Sequence, residues 1–183
     1  MEKLYMILLG CKPQGRHTEQ HDIFFGIARS LSQLVEPIVQ FWPEAEGKIH
    51  LDAWKEVTQV DGHPISIVER SRESEANTPY QLFFLNLGGY KENDFEEYHY
   101  KMLVVAKEKG EAIRRAKETA FFKHNASPHI DDKYGVDVDD IYEIEEVLSD
   151  EFRIKYRIVI GEKESAQIDD EIHAEYIKLS KLV

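Results

Sequence analysis

Cysteine is nearly missing from this sequence of 183 residues: Cys11 stands alone. No intramolecular disulfide can form, and such a chain suits a reducing compartment. Positive charge is also scarce, with 23 Lys and Arg against 35 Asp and Glu and a net charge of −12. An acid excess of this size repels phosphates and anionic headgroups, which argues against nucleic acid and against a membrane surface as partners. Long apolar runs are missing too. The N-terminal run Leu4–Leu9 is too short for a signal peptide and far too short for a membrane-spanning helix. The expectation is a soluble, cytoplasmic protein. What is present is ordinary globular material, 42% hydrophobic and 32% charged, in a length that suits one domain or two small fused ones.

Self-similarity organises the chain. A shift of 78 aligns Leu4-Tyr5-Met6-Ile7-Leu8-Leu9-Gly10 with Leu82-Phe83-Phe84-Leu85-Asn86-Leu87-Gly88, and pairs Glu19 with Glu97 and His21 with His99. Past a one-residue adjustment, a shift of 79 pairs His50 with His129, Asp52 with Asp131 and Val57 with Val136. Two ordered runs at nearly one offset indicate an internal duplication. Copy one takes residues 1–70 and copy two residues 80–148. The polar stretch Glu69–Thr78 is the linker, and 149–183 is a C-terminal addition, the whole forming one compact unit.

Each copy reads as ββαββ. Lys3–Gly10 and Tyr80–Gly88 are short apolar runs ending in glycine, as buried strands do, and Ile23–Ala28 and Lys101–Ala106 make second strands. A helical period follows at Leu31, Leu34, Val35 and Ile38, and at Ala112, Ile113, Ala116 and Ala120. Ser30 and Gln33 have the spacing of a capping box, while Pro37 should kink or restart the first helix. Two extended pieces close each copy, around Ile49–Val57 and Pro64–Val68, then His129–Val136 and Tyr142–Leu148. Beyond them, Phe152, Ile154, Tyr156, Ile158 and Ile160 alternate with Arg153, Lys155 and Arg157, which predicts a strand in a hairpin with its predecessor. From Gln167 onward, Ile168, Ile172, Tyr176, Leu179 and Val183 approach a 3.6-residue period, which predicts an amphipathic helix and, through its apolar stripe, a homodimer. The expected class is α+β (mixed α/β): two tandem ββαββ copies in one pseudo-twofold domain, plus a C-terminal strand and helix.

Two motifs come close to known chemistry and miss. Gly10-Cys11-Lys12-Pro13-Gln14-Gly15-Arg16-His17 has the glycine spacing of a P-loop, but Arg16 and His17 replace the lysine and the magnesium-binding hydroxyl, and a strand follows instead of a helix. It reads better as a hairpin loop whose Lys12, Arg16 and His17 are candidates for holding an anion. Cys11 and Arg16 stand one residue too close for a cysteine-phosphatase loop; a lone strand-end cysteine reads first as a small buried hydrophobe, and nearby Lys12, Arg16 and His17 would lower the thiol pKa only if they approached it. Asp131-Asp132 and Asp137–Asp140 form an acidic cluster without the glycine of an EF-hand, and read as a solvated turn.

The histidines carry the sharper signal. Glu19 and His21, His50 and Asp52, Glu97 and His99, and His129 and Asp131 are acid/imidazole pairs two residues apart, at repeat-matched positions. On an extended backbone such residues share a face. Two pairs converging within a copy supply two nitrogens and two carboxylates, enough for a divalent metal or for acid–base work. Equally, each carboxylate can simply orient its histidine as part of the fold. No cofactor motif is evident, and a divalent metal is the one candidate.

The stretch LYMILLGCKPQGRHTEQHD, the HLDAW after the first helix, and GGY and HIDD in copy two resemble a small bacterial family, the domain of unknown function numbered 1543, which occurs as one or two copies per chain. The resemblance implies a tandem-copy bacterial protein and brings no substrate, cofactor or catalytic residue. Copy two departs from copy one at Cys11 (Gly89) and His17 (Phe95). Two functional readings follow. One is a non-enzymatic binding or regulatory module with a small-molecule or protein partner. The other is a small metal-assisted or acid–base enzyme, with Lys12 and Arg16 orienting an anionic small molecule.

Overall fold

The computed structural model describes residues 1–70, 78–90, 93–124, 136–164 and 169–183. In chain order its first half runs β1 Lys3–Cys11, β2 Gln20–Ala28, α1 Val35–Phe41, β3 His50–Val57, β4 Gln59–Val60 and β5 His63–Glu69. There follow β6 Gln81–Tyr90, β7 Glu97–Ala106, α2 Lys109–His124 and β8 Val136–Glu143. The chain ends with α3 Ile144–Val147, α4 Asp150–Lys155, β9 Tyr156–Ile160 and β10 His173–Lys178. Two compact units result: Met1–Glu75 with Leu148–Val183, and Ala76–Val147. The class is a mixture of sheet and helix, as expected. Among the described residues no helix is long and apolar enough to cross a membrane.

In the first unit β1 is a central strand, in the sheet order β10-β3-β1-β2. Leu4, Tyr5, Ile7 and Leu9 are all buried, which a strand achieves only when neighbours cover both edges and layers cover both faces. Both neighbours run antiparallel to it. A built Cβ on Gly26, the partner of Tyr5, would touch Leu34 of the 3-10 turn Leu31–Leu34, so this helical segment lies over the Tyr5, Ile7 and Leu9 face. Leu8 and Gly10 belong to the opposite face. The smaller sheet β4-β5-β9 is built on a two-residue hairpin at Asp61 and Gly62, both with positive φ, the conformation an Asp-Gly pair adopts most easily.

The second unit has the order β7-β6-β8, with β6 in the centre. Phe83, Leu85 and Leu87 pack with Ala112 and Ala116 of α2, whose small side chains let the helix approach the sheet closely. Asn86 and Gly88 face away from it.

Several expectations change here. The Ser30 side chain does not cap; Gln33 does reach back, accepting from the Arg29 N–H at 2.9 Å. The helix restarts at Val35, so Pro37 falls in the first turn, where its missing N–H costs nothing. The alternation over Phe152–Ile160 divides into α4 and β9. Ser149 caps the Phe152 N–H at 3.4 Å, with Asp150 and Glu151 in the first turn and Arg153 and Lys155 in the last. These end effects outweigh the two-residue period, and Ile154 is left exposed. Strand β9 pairs with β5, not with the strand preceding it.

The stretch Tyr142–Leu148 is also divided. Strand β8 stops at Glu143, and α3 begins where Glu146 accepts the Glu143 N–H at 3.3 Å and Lys109 Nζ at 3.0 Å. The fourth strand expected of copy two is therefore absent among the described residues. The C-terminal helix does not form either. Its residues make β10, which closes the free edge of β3, and His173 stacks on Trp54 with centroids 4.0 Å apart. The stripe on which a dimer was expected is dispersed: Ile172 and Tyr176 are exposed, Leu179 is buried, and Ile168 lies outside the described residues.

Two measurements check this packing. Leu85→Ala, at a fully buried site, should destabilise the second unit by about 2–5 kcal/mol in urea unfolding, whereas Ile154→Ala should change stability by less than about 0.5 kcal/mol. Burial, reinforced by the charge of Glu56 and a hydrogen bond to it, pushes the Tyr5 hydroxyl up to about 12. A raised pKa gives stability that is complete below the unfolded value of about 10 and is lost as pH rises through the folded value. Tyr5→Phe should therefore flatten the fall in stability between pH 10 and pH 12.

Candidate functional site

The register of the central strands brings the acid/imidazole residues together. Gly10 lies directly opposite His21 on β2 and opposite His50 on β3. Residues opposed across antiparallel strands project from the same face, so both imidazoles rise on either side of a residue with no side chain. Asp52 arrives by a different device. Leu8 pairs with Ala53 and Leu9 with Leu51, so Asp52 is the extra residue of a β-bulge, and a bulge re-aims a side chain. Glu19 stands just before β2.

The four side chains form a closed arrangement. His50 Nε2 lies 3.0 Å from Glu19 Oε1 and 3.3 Å from Asp52 Oδ1. His21 Nε2 lies 3.3 Å from Asp52 Oδ2 and 3.9 Å from Glu19 Oε2. Each carboxylate thus offers one oxygen to each imidazole. His50 is 7% exposed and its ring is covered by Tyr176 at a centroid distance of 4.3 Å, while His21 is open to solvent. Asp52 Oδ2 is buried and accepts no hydrogen bond from any described residue.

Gly10 is what makes the room. A Cβ built on it would fall 2.5 Å from Asp52 Oδ2 and nearer still to His50 Nε2.

The second unit repeats the geometry with a different third strand. Gly88 lies opposite His99 on β7 and opposite Asp137 on β8. The bulge residue is now Asp139, between Val138 opposite Leu87 and Asp140 opposite Asn86. His99 Nε2 is 3.5 Å from Asp139 Oδ2 and 3.8 Å from Glu97 Oε2, and the ligand atoms of Glu97, His99 and Asp139 all lie within 4.8 Å of one another. A Cβ on Gly88 would sit 2.7 Å from Asp139 Cγ.

Of the sequence-selected residues, Glu19, His21, His50 and Asp52 meet, as do Glu97 and His99. His129 and Asp131 lie outside the described residues. Asp139 was missed, because Asp137–Asp140 read as a solvated turn; they belong to β8. A signal was available. His50-Leu51-Asp52-Ala53-Trp54 and Asp137-Val138-Asp139-Asp140-Ile141 share an aliphatic residue, an aspartate and a later apolar residue at the same spacing. That match needs a shift of 87 (His50 to Asp137), because the stretch between the second and third strands is longer in the second unit.

Lys12, Arg16 and His17 are exposed on the β1–β2 loop, where Arg16 N–H closes a turn on the Pro13 carbonyl at 3.2 Å and Gly15 takes φ 81°. A strand follows, so no helix N-terminus stands ready for phosphate. Cys11 is buried, as a lone strand-end cysteine usually is, and burial, followed by the Glu19 carboxylate, pushes its thiol up despite the opposing Lys48.

Residues 16–67 match the model of a family described as Domain of Unknown Function (DUF1543), in line with the resemblance. No curated protein matches the chain. Among solved structures the chain is similar to the crystal structure of a protein Il1583 from Idiomarina loihiensis, at 22% identity and a TM-score of 0.66, over 98% of each chain. At that identity the likeness concerns the fold.

The Cys11 thiol should be protected. Iodoacetamide at pH 8 is expected to label the native protein at least tenfold more slowly than the urea-unfolded chain, read by mass spectrometry.

Proposed function

We propose that the chain is a divalent-cation-binding module whose principal site is Glu19, His21, His50 and Asp52. The observation that carries the reading is the buried Asp52 Oδ2, which accepts no hydrogen bond from any described residue and lies 3.3 Å from His21 Nε2. An unsatisfied buried oxygen costs about 1–3 kcal/mol, more when charged, and a bound cation would remove that cost. Size supports it as well. A tetrahedral ion with bonds of about 2.0–2.2 Å sets its ligand atoms roughly 3.3–3.6 Å apart. The four nitrogen–oxygen separations, 3.0, 3.3, 3.3 and 3.9 Å, bracket that range. Two imidazoles and two carboxylates suit Zn²⁺ or Co²⁺.

In this reading the chain is a binding module, and the one thiol, buried and with its pKa pushed up, takes no part in the site. In the same proposal, the like strand order and register of the two units come from a tandem duplication, in a bacterial cytoplasmic protein.

Zn²⁺ should raise the melting temperature, because a ligand that binds only the folded state stabilises it by about 2.7 kcal/mol at a hundred times its dissociation constant. His21→Ala and His50→Ala should each abolish most of that rise. A melt indifferent to Zn²⁺, together with a destabilised His21→Ala, would return the cluster to a purely structural role.

A further inference from the structure

The cluster of the second unit has a different donor set. At the register position opposite the glycine, where the first unit has the imidazole of His50, the second has Asp137. Its described donors are one nitrogen, from His99, and the carboxylates of Glu97 and Asp139. The N–O separations, 3.5 and 3.8 Å, are wider than the three shortest in the first unit.

We propose that Glu97, His99 and Asp139 form a second cation site, built over Gly88, whose preference is displaced from Zn²⁺ toward Mn²⁺ relative to the first site. The inference rests on reading the first cluster as a cation site, and concerns what the exchange at one register position does to it. Carboxylates suit Mn²⁺, whereas imidazoles favour Zn²⁺ and Co²⁺. Replacing one of two imidazole positions by aspartate therefore weakens Zn²⁺ more than Mn²⁺.

The cluster is not a chance gathering of surface acids. Asp139 is the bulge residue of β8, and its carboxylate occupies the space above Gly88 that any side chain would fill. The same device, a bulge aspartate over a strand-end glycine beside a histidine of the second strand, holds the first cluster. Two independent strand sets use it, each on the sheet face turned from its helix.

Mn²⁺ titrated into the full chain, followed by the EPR signal of the free ion, should reveal one tight equivalent. Gly88→Ala, whose methyl displaces only the tip of Asp139, should weaken it at least tenfold, and Asp139→Asn should do likewise. Gly10→Ala should leave it within twofold while weakening the first Zn²⁺ equivalent at least tenfold by calorimetry. Absence of a tight Mn²⁺ equivalent in the wild type overturns the second site. So does Mn²⁺ binding that survives both Gly88→Ala and Asp139→Asn, or that falls with Gly10→Ala. Loss of Zn²⁺ binding from the wild type, with Mn²⁺ still bound and sensitive to Gly88→Ala, overturns instead the reading of the first cluster.

Discussion

A strand that is apolar on both faces cannot sit at an edge. Leu4–Leu9 and Leu82–Leu87 carry so few polar side chains that their backbone groups must pair with neighbours on both sides, and both faces must be covered. This single requirement makes β1 and β6 central strands and recruits β2 with β3, and β7 with β8. Helical segments then cover one face of each. The glycine ending each central run follows from the same geometry. With strands on both flanks, Gly10 and Gly88 are the points where side chains from the two flanking strands converge, and only a residue without a side chain leaves space for them.

The chemistry gathered there is held against electrostatic resistance. Glu19 and Asp52 aim carboxylates at the same two imidazoles, and one oxygen of Asp52 is buried and accepts no hydrogen bond from any described residue. Like charges in such proximity are costly unless a positive charge lies between them. The remaining surroundings add little: Cys11 is a buried neutral thiol, and Lys12 and Arg16 are exposed on the loop. His50 is held under Tyr176, while Glu19 and His21 are open to solvent. Such a site is buried on one side and accessible on the other.

The two clusters also show how a bulge serves as a positioning device. A regular β3 would carry Asp52 in ladder register; the bulge removes it from the ladder and turns its carboxylate over Gly10. In β8 the bulge does the same for Asp139. The ligands thus come from strand ends and bulges, while the strand centres remain core.

Local pattern determined a good deal by itself. Apolar runs ending in glycine gave both central strands, spacing two apart identified Glu19, His21, His50 and Asp52, and the shift of 78 carried Glu97 and His99. These signals are short-range, so they survive in one dimension. Tertiary structure decided the rest. The third strand of the second unit could not be aligned by a shift of 79, because register is set by hydrogen bonding to β6 after a longer connection, and so Asp139 emerged only in three dimensions. The residues from His173 onward have a helical period and yet form β10, since the open edge of β3 offers a ladder that an isolated helix cannot match. Phe152–Ile160 alternates like a strand, but a Ser149 cap and well-placed end charges favoured a helical turn first. Period and propensity are weak when competing with an unpaired edge or a satisfied helix terminus, and those exist only once the chain has folded.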